Sequence, residues 1–221
     1  MKNLLFLPLI ILVLPVFAQN NEIKAVPKPV YDRFILDLTI DNWLNVPNGV
    51  KTRIWSPGFS VSVFNDIKFR ESAFGFAFGL GLSSHNVHHN GIFVETLETD
   101  TSSAFTSLIP RTTPYKKNKL SANYIELPFE FRIRTNGKNP FRFYPGVKVG
   151  YLFNIHKKVI DDTGKWKFYT FPNANPLRYV ATARLGYGKI NLTGSYGLNS
   201  IFRNNKGVEL IPFSVGISLM M

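Results

Sequence analysis

The sequence predicts an all-β chain, an eight-stranded antiparallel up-and-down transmembrane β-barrel with short periplasmic turns and longer extracellular loops. Three observations carry that reading. Apolar and aromatic residues recur with period two in successive segments, and no helical period competes with them. The positions between them hold Gly, Ser and charged residues, as a crowded narrow lumen requires. The links between segments alternate short and long, the pattern of outer-membrane barrels.

The first residues are read apart from the fold. Met1-Lys2-Asn3 is a short positive region, Leu4 to Pro15 an apolar stretch, and Val16-Phe17-Ala18 a small-residue cleavage site. This predicts a secretory signal peptide at 1–18, cleaved after Ala18. The apolar run is too short, and too interrupted by Pro8 and Pro15, for a membrane-spanning helix. Residues 19–32, with Pro27 and Pro29, read as an extended periplasmic lead-in, and 33–221 as the barrel. Cysteine is absent, which excludes a disulfide framework, thiolate chemistry and a lipid anchor on the exported chain. A closed, fully hydrogen-bonded barrel in lipid would supply stability instead.

The first strand is expected at 33–42, with Phe34, Leu36, Leu38 and Ile40 on one face and Asp37, Thr39 and Asp41 on the other. The second, 55–64, sets Phe59, Val61 and Val63 against Ser60 and Ser62. In the third, Phe74, Phe76, Phe78, Leu80 and Leu82 alternate with Gly75, Ala77, Gly79, Gly81 and Ser83. A long polar loop is expected from about Asn86 to Lys119. The fourth strand sets Ile125, Leu127, Phe129, Phe131 and Ile133 against Glu126, Glu130, Arg132 and Arg134. A turn at 135–140 leads into the fifth, 141–154, and a second loop spans 157–176. A tight hairpin, 179–187 and 190–198, and a last strand at 211–219 complete the eight.

A soluble eight-stranded barrel would invert these faces, apolar in and polar out. The third strand argues against it, because its second face is only Gly, Ala and Ser. Aromatic girdles are expected at the two lipid boundaries, with Trp55, Tyr124 and Tyr179 at the extracellular rim. Phe74, Phe141, Phe143 and Tyr187 would form the periplasmic one.

Three stretches also carry a family likeness: Asn123-Tyr124-Ile125-Glu126-Leu127-Pro128-Phe129, Tyr144-Pro145-Gly146-Val147-Lys148-Val149-Gly150-Tyr151 and Ser195-Tyr196-Gly197-Leu198-Asn199. In order and spacing the chain resembles the PorT-like outer-membrane β-barrel family of Bacteroidota-type bacteria, over most of residues 33–221. The resemblance implies an eight-stranded outer-membrane barrel. The family's namesake is an accessory of a protein secretion system, whereas the N-terminal third of this chain looks unlike it.

The inward-facing charges are the first candidate site: Asp37, Glu126, Glu130, Arg132, Arg134, Arg142, Lys148 and Arg184. Pairing about the Asn136-Gly137 turn should set Glu130 opposite Gly146 and diagonal to Lys148, Arg132 near Tyr144, and Arg134 near Arg142. A selectivity filter or proton path would use such groups. An eight-stranded lumen is filled by side chains, so a structural ion-paired network is expected.

His85, His88 and His89, with His156 on the same rim, are close enough in sequence to suggest a surface metal site, but no acidic ligand is placed with them. Ser83, Ser84 and His85, with Glu95 and Glu98, are the raw materials of a lipid-modifying enzyme, at no diagnostic spacing. Catalytic residues, cofactors and metals are therefore assigned to none. Asn191-Leu192-Thr193 fits a glycosylation sequon but falls inside a strand.

The formal charge is +12, from 26 basic and 14 acidic side chains, and the leader removes only Lys2. Export and the lack of a base-reading motif argue against nucleic acid. Lys51, Arg53, Arg111, Lys116, Lys117 and Lys119, with Lys165 and Lys167, are candidates for contact with lipopolysaccharide phosphates. The expected function is that of a non-enzymatic outer-membrane barrel. It would serve an envelope assembly as an accessory or structural subunit, through its loops and envelope protein partners. A lipid-modifying enzyme or small-solute pore is the alternative.

Overall fold

The computed structural model describes residues 32–69, 72–97, 104–135 and 139–221. The expected leader and cleavage site, the lead-in up to residue 31, Glu98 and the Asn136-Gly137 turn tip lie outside them. Among the described residues no helix is long and apolar enough to cross a membrane. Strands make the crossing.

Among the described residues eleven strands follow in order: β1 Phe34–Leu44, β2 Pro57–Lys68, β3 Phe74–His88, β4 Gly91–Leu97, β5 Ala104–Pro110, β6 Lys117–Arg134, β7 Phe141–Asp161, β8 Gly164–Phe168, β9 Leu177–Tyr187, β10 Ile190–Gly197 and β11 Ile211–Met220. Eight of them close on themselves. The ladder runs β6-β3-β2-β1-β11-β10-β9-β7, and β7 pairs back onto β6, antiparallel throughout. First and last strands meet, with Phe34 and Met221 exchanging backbone hydrogen bonds of 3.0 and 2.9 Å. A closed ladder leaves no unpaired edge, which lipid would penalise heavily.

The outward face is apolar on every wall strand. On β3 it is Phe74, Phe76, Phe78, Leu80 and Leu82, all exposed. They cover about 27 Å of strand, and at a tilt of about 40° roughly 20 Å of height, the scale of a barrel's lipid band. The extracellular edge of this band follows one row of paired residues: Leu82, Ile125, Tyr151 and Leu177. Inside, small residues let the walls curve tightly. A Cβ on Gly79 would collide with the Val63 carbonyl oxygen, and one on Gly216 with that of Leu38.

The links β2–β3, β6–β7 and β9–β10 are short, and those at the opposite, extracellular end are long. There the structure corrects two expectations. The polar loop expected at 86–119 is largely strand: β3 runs to His88, β6 starts at Lys117, and β4 and β5 pair as a hairpin between them. The loop expected at 157–176 holds the end of β7 and the short β8 paired to it. Above the lipid the logic of the faces reverses. Val87, Leu120, Ala122, Ile155 and Val159 are buried and apolar, while Lys119 and Lys158 lie toward the outside. A search for apolar-out alternation passes over strands built this way.

At this frontier β7 carries one extra residue. Tyr124 pairs with Leu152 but Asn123 pairs with Asn154, so Phe153 forms a bulge. A further correction concerns Tyr124, expected in the extracellular girdle. It shares the inward parity of Glu126 and is buried, with the Arg178 guanidinium 5.1 Å from its ring centroid.

Candidate functional site

Among the described residues the lumen gathers six buried carboxylates, Asp32, Asp37, Asp41, Asp66, Glu126 and Glu130, and six buried cations, Arg132, Arg134, Arg142, Lys148, Arg178 and Arg184. Their formal charges cancel. Near the periplasmic end Arg142 grips Asp32 with two hydrogen bonds of 2.9 Å, and the Tyr144 hydroxyl donates to the same carboxylate at 2.7 Å. Arg134 and Arg142 are directly paired like charges. Asp32, 3.7 Å from the first and 2.9 Å from the second, offsets their repulsion. Asp66 holds Arg134 at 2.7 Å and Arg132 at 3.1 Å. The Arg132 guanidinium also lies between the rings of Phe64 and Tyr144, at 4.7 and 5.0 Å.

At mid-height Glu130 pairs with Arg132 at 3.0 Å and with Arg184, which spans to Asp37 at 2.6 Å. Higher still, Lys148 meets Glu126 at 3.2 Å and Asp37 at 3.9 Å, and Arg178 stands 3.7 Å from Glu126. Desolvating so many charges is tolerable because all but Asp41 face an opposite one, and Asp41 accepts from the Thr39 hydroxyl at 2.9 Å and the Asn86 N–H at 3.0 Å.

All eight charged residues singled out from alternation have their side chains buried in this lumen. Glu130 does pair with Gly146 across the ladder, but its ionic partners are Arg132 and Arg184, and Lys148 turns to Glu126 and Asp37. Closure of the barrel, invisible in a single hairpin, brings β9 and β1 within reach. Asp41 stands on the expected inward face without being counted in the network, and Asp66 and Arg178 lie just beyond the expected bounds of their strands, with the inward parity of each. Asp32 was placed at the end of the lead-in; a lone acid just before a strand carries no periodic signal.

Above the charges an apolar core closes the extracellular mouth. Trp43, Phe93, Leu108, Leu120, Phe202 and Leu210 are among its buried members. Phe93 contacts Trp43, Phe171 and Phe202, with ring centroids 5.5–6.3 Å apart.

The three histidines diverge. His85 points inward, with Nδ1 3.2 Å from Asp41. His89 is buried between Trp43 and Phe93 and accepts the Gly91 N–H at 3.1 Å. His88 pairs with Lys119 on the ladder. Burial, then the cations Lys117, Lys119 and Arg53, push His88 down to about 4. Burial, then His88, does the same to His89. Among the described residues no three His, Asp or Glu side chains come together as a metal site. The Ser83 hydroxyl is buried without a hydrogen-bond partner and that of Ser84 accepts from Asn86, so among the described residues neither serine is hydrogen-bonded to His85. Asn191 is buried in the lumen, away from any glycosylating enzyme.

The basic candidates scatter as well. Lys116 pairs with Asp162 at 3.0 Å, and Arg111 with Asp161 at 3.6 Å. Lys51 and Arg53 are exposed on the β1–β2 loop. Lys117 and Lys119 stand on β6. Arg111, Lys157, Asp161, Trp166 and Phe93 line a cavity of about 350 Å³ between the β4–β5 and β7–β8 hairpins. The Lys157 ammonium sits 4.7 Å above the Phe168 ring, and burial with nearby Arg111 lowers its pKa.

A closed antiparallel wall, apolar outside and ion-paired inside, defines a small transmembrane β-barrel of the outer-membrane class. The chain belongs to the outer membrane protein beta-barrel domain family, whose model matches residues 31–203. Its site is therefore the outer membrane. No curated protein and no solved structure matches the chain.

Proposed function

We propose that this barrel is a non-enzymatic outer-membrane subunit that works from its extracellular surface, as an accessory or bracing part of an envelope assembly. One observation carries the reading: the lumen is filled by a charge-balanced network and its mouth is sealed by an apolar core. A conduit needs continuous water, and an eight-stranded barrel filled this way has little room for it. The extracellular hairpins, by contrast, are built as a packed body of their own, which presents a shaped surface to partners.

The PorT-like resemblance of residues 123–129, 144–151 and 195–199 supports placement beside secretion or outer-membrane machinery. Affinity purification in mild detergent tests the reading. The expected result is a stoichiometric envelope protein that co-purifies with the wild type and is lost when β4 and β5 are replaced by a short linker. Recovery of the barrel alone, with unit conductance in planar bilayers or altered lipid A masses in cells, would overturn it.

A further inference from the structure

We propose that the outer wall above the lipid band binds the phosphorylated saccharide of outer-leaflet lipopolysaccharide, through a transverse row of cations formed by Arg53, Lys119, Lys158 and Lys167. The inference rests on the outer-membrane placement and not on the accessory role.

Ladder register builds the row. His88 pairs with Lys119, Lys119 with Lys158, and Lys158 with Lys167, across β3, β6, β7 and β8. Arg53 joins at the β3 side, its N–H donating to the His88 carbonyl at 2.7 Å. Like charges set directly opposite one another destabilise a sheet. Among the described residues none of these four cations has a carboxylate within ion-pair distance, and Lys119 donates only to neutral Asn86, at 2.5 Å. Among the described residues the buried lumen charges cancel, so these four cations are not offset from inside the barrel. A row of mutually repelling, unneutralised cations is a site for an external polyanion.

Height selects which one. On β3 and β6 the row stands six residues beyond Leu82 and Ile125, the last lipid-facing positions. That is roughly 20 Å of strand and, with tilt, about 15 Å above the hydrocarbon. Glycerophospholipid headgroups end below that level, whereas the charged sugars of a lipopolysaccharide extend through it. The tier between holds uncharged polar residues beside the exposed Phe153 ring: Ser84, Asn123 and Asn154, the two asparagines hydrogen-bonded at 3.0 Å, suit sugar hydroxyls. The row's field is felt locally. His156 is lowered by burial and by Lys119, Lys167 and Lys158, so a bound phosphate should raise it.

The test uses the full barrel in phosphatidylcholine nanodiscs, with labelled lipopolysaccharide as the probe. Wild type should bind it, more weakly as salt rises from ~50 to ~500 mM. K119Q/K158Q/K167Q should lose about tenfold or more in affinity. K119R/K158R/K167R should retain binding, and K68Q/K189Q, at the opposite rim, should not change it. The His156 imidazole should protonate at higher pH in the loaded wild type, and the shift should vanish in the glutamine variant. Equal binding by the glutamine variant, equal binding of dephosphorylated lipopolysaccharide, or full competition by inorganic phosphate at the same concentration would each overturn the proposal.

Discussion

Arg184 of β9 reaches Asp37 of β1 across the lumen, at 2.6 Å between Nη2 and Oδ2, though 147 residues separate them. The same guanidinium also engages Glu130 of β6. One side chain thus ties together three strands that are not ladder neighbours.

Removing one partner of this tie leaves the other charge buried and unpaired. Arg184→Met or Asp37→Leu should destabilise the barrel by about 3–5 kcal/mol. Arg184→Met combined with Asp37→Leu should cost clearly less than the sum, because the stranded charge is gone. Urea unfolding of vesicle-inserted protein, read by heat-modified gel mobility, supplies the cycle; strict additivity would contradict the coupling.

Curvature makes a sharper demand at some glycines than at others. Gly79→Val and Gly216→Val drive a side chain into the neighbouring strand's carbonyl and should prevent assembly. Gly194, on a wall strand where an added Cβ would meet nothing within 4 Å, should accept Ala. The folded fraction after refolding compares the three directly.

Acid should loosen the cap before it touches the wall. His88 and His89 titrate near 4 when folded, below the ordinary 6.5. The unfolded loop therefore binds protons more readily, so this contribution is full above pH 6.5 and falls as the pH drops toward 4. Hydrogen exchange at residues 87–93 should accelerate across that window. His89→Phe, which keeps the contacts to Trp43 and Phe93, should flatten the response.

Phe202, fully buried against Phe93 and Phe171, anchors the β10–β11 loop to the extracellular core. Phe202→Ala should cost about 3–5 kcal/mol of cap stability. Faster exchange in β4 and β5 with unchanged heat-modified mobility is the expected outcome. Loss of mobility as well would mean that cap and wall unfold together.

The wall was readable in the sequence because lipid imposes a single rule on every crossing strand: apolar out, at period two. The inward parity of Glu126, Glu130 and Arg184 comes with it. Ionic partners do not, since Lys148 chooses Glu126 over Glu130 only once tilt and closure set diagonal distances. The cap was hidden for a different reason. Above the membrane water is outside again, so Leu120 and Ala122 take inward positions that lower down belong to Glu126 and Glu130. A pattern fitted to one solvent reads as noise in the other.

Phe153 marks the frontier between those two regimes on β7. Its bulge acts as a phase shift in the strand's alternation, so everything beyond it is read in a new frame. Were Phe153 drawn into the regular ladder instead of bulging from it, His156 and Lys158 would turn toward the dry interior and Ile155 and Val159 toward the water. A lineage of such barrels can therefore exchange extracellular decoration freely on either side of that position, but can move the position itself only by rewriting both faces at once.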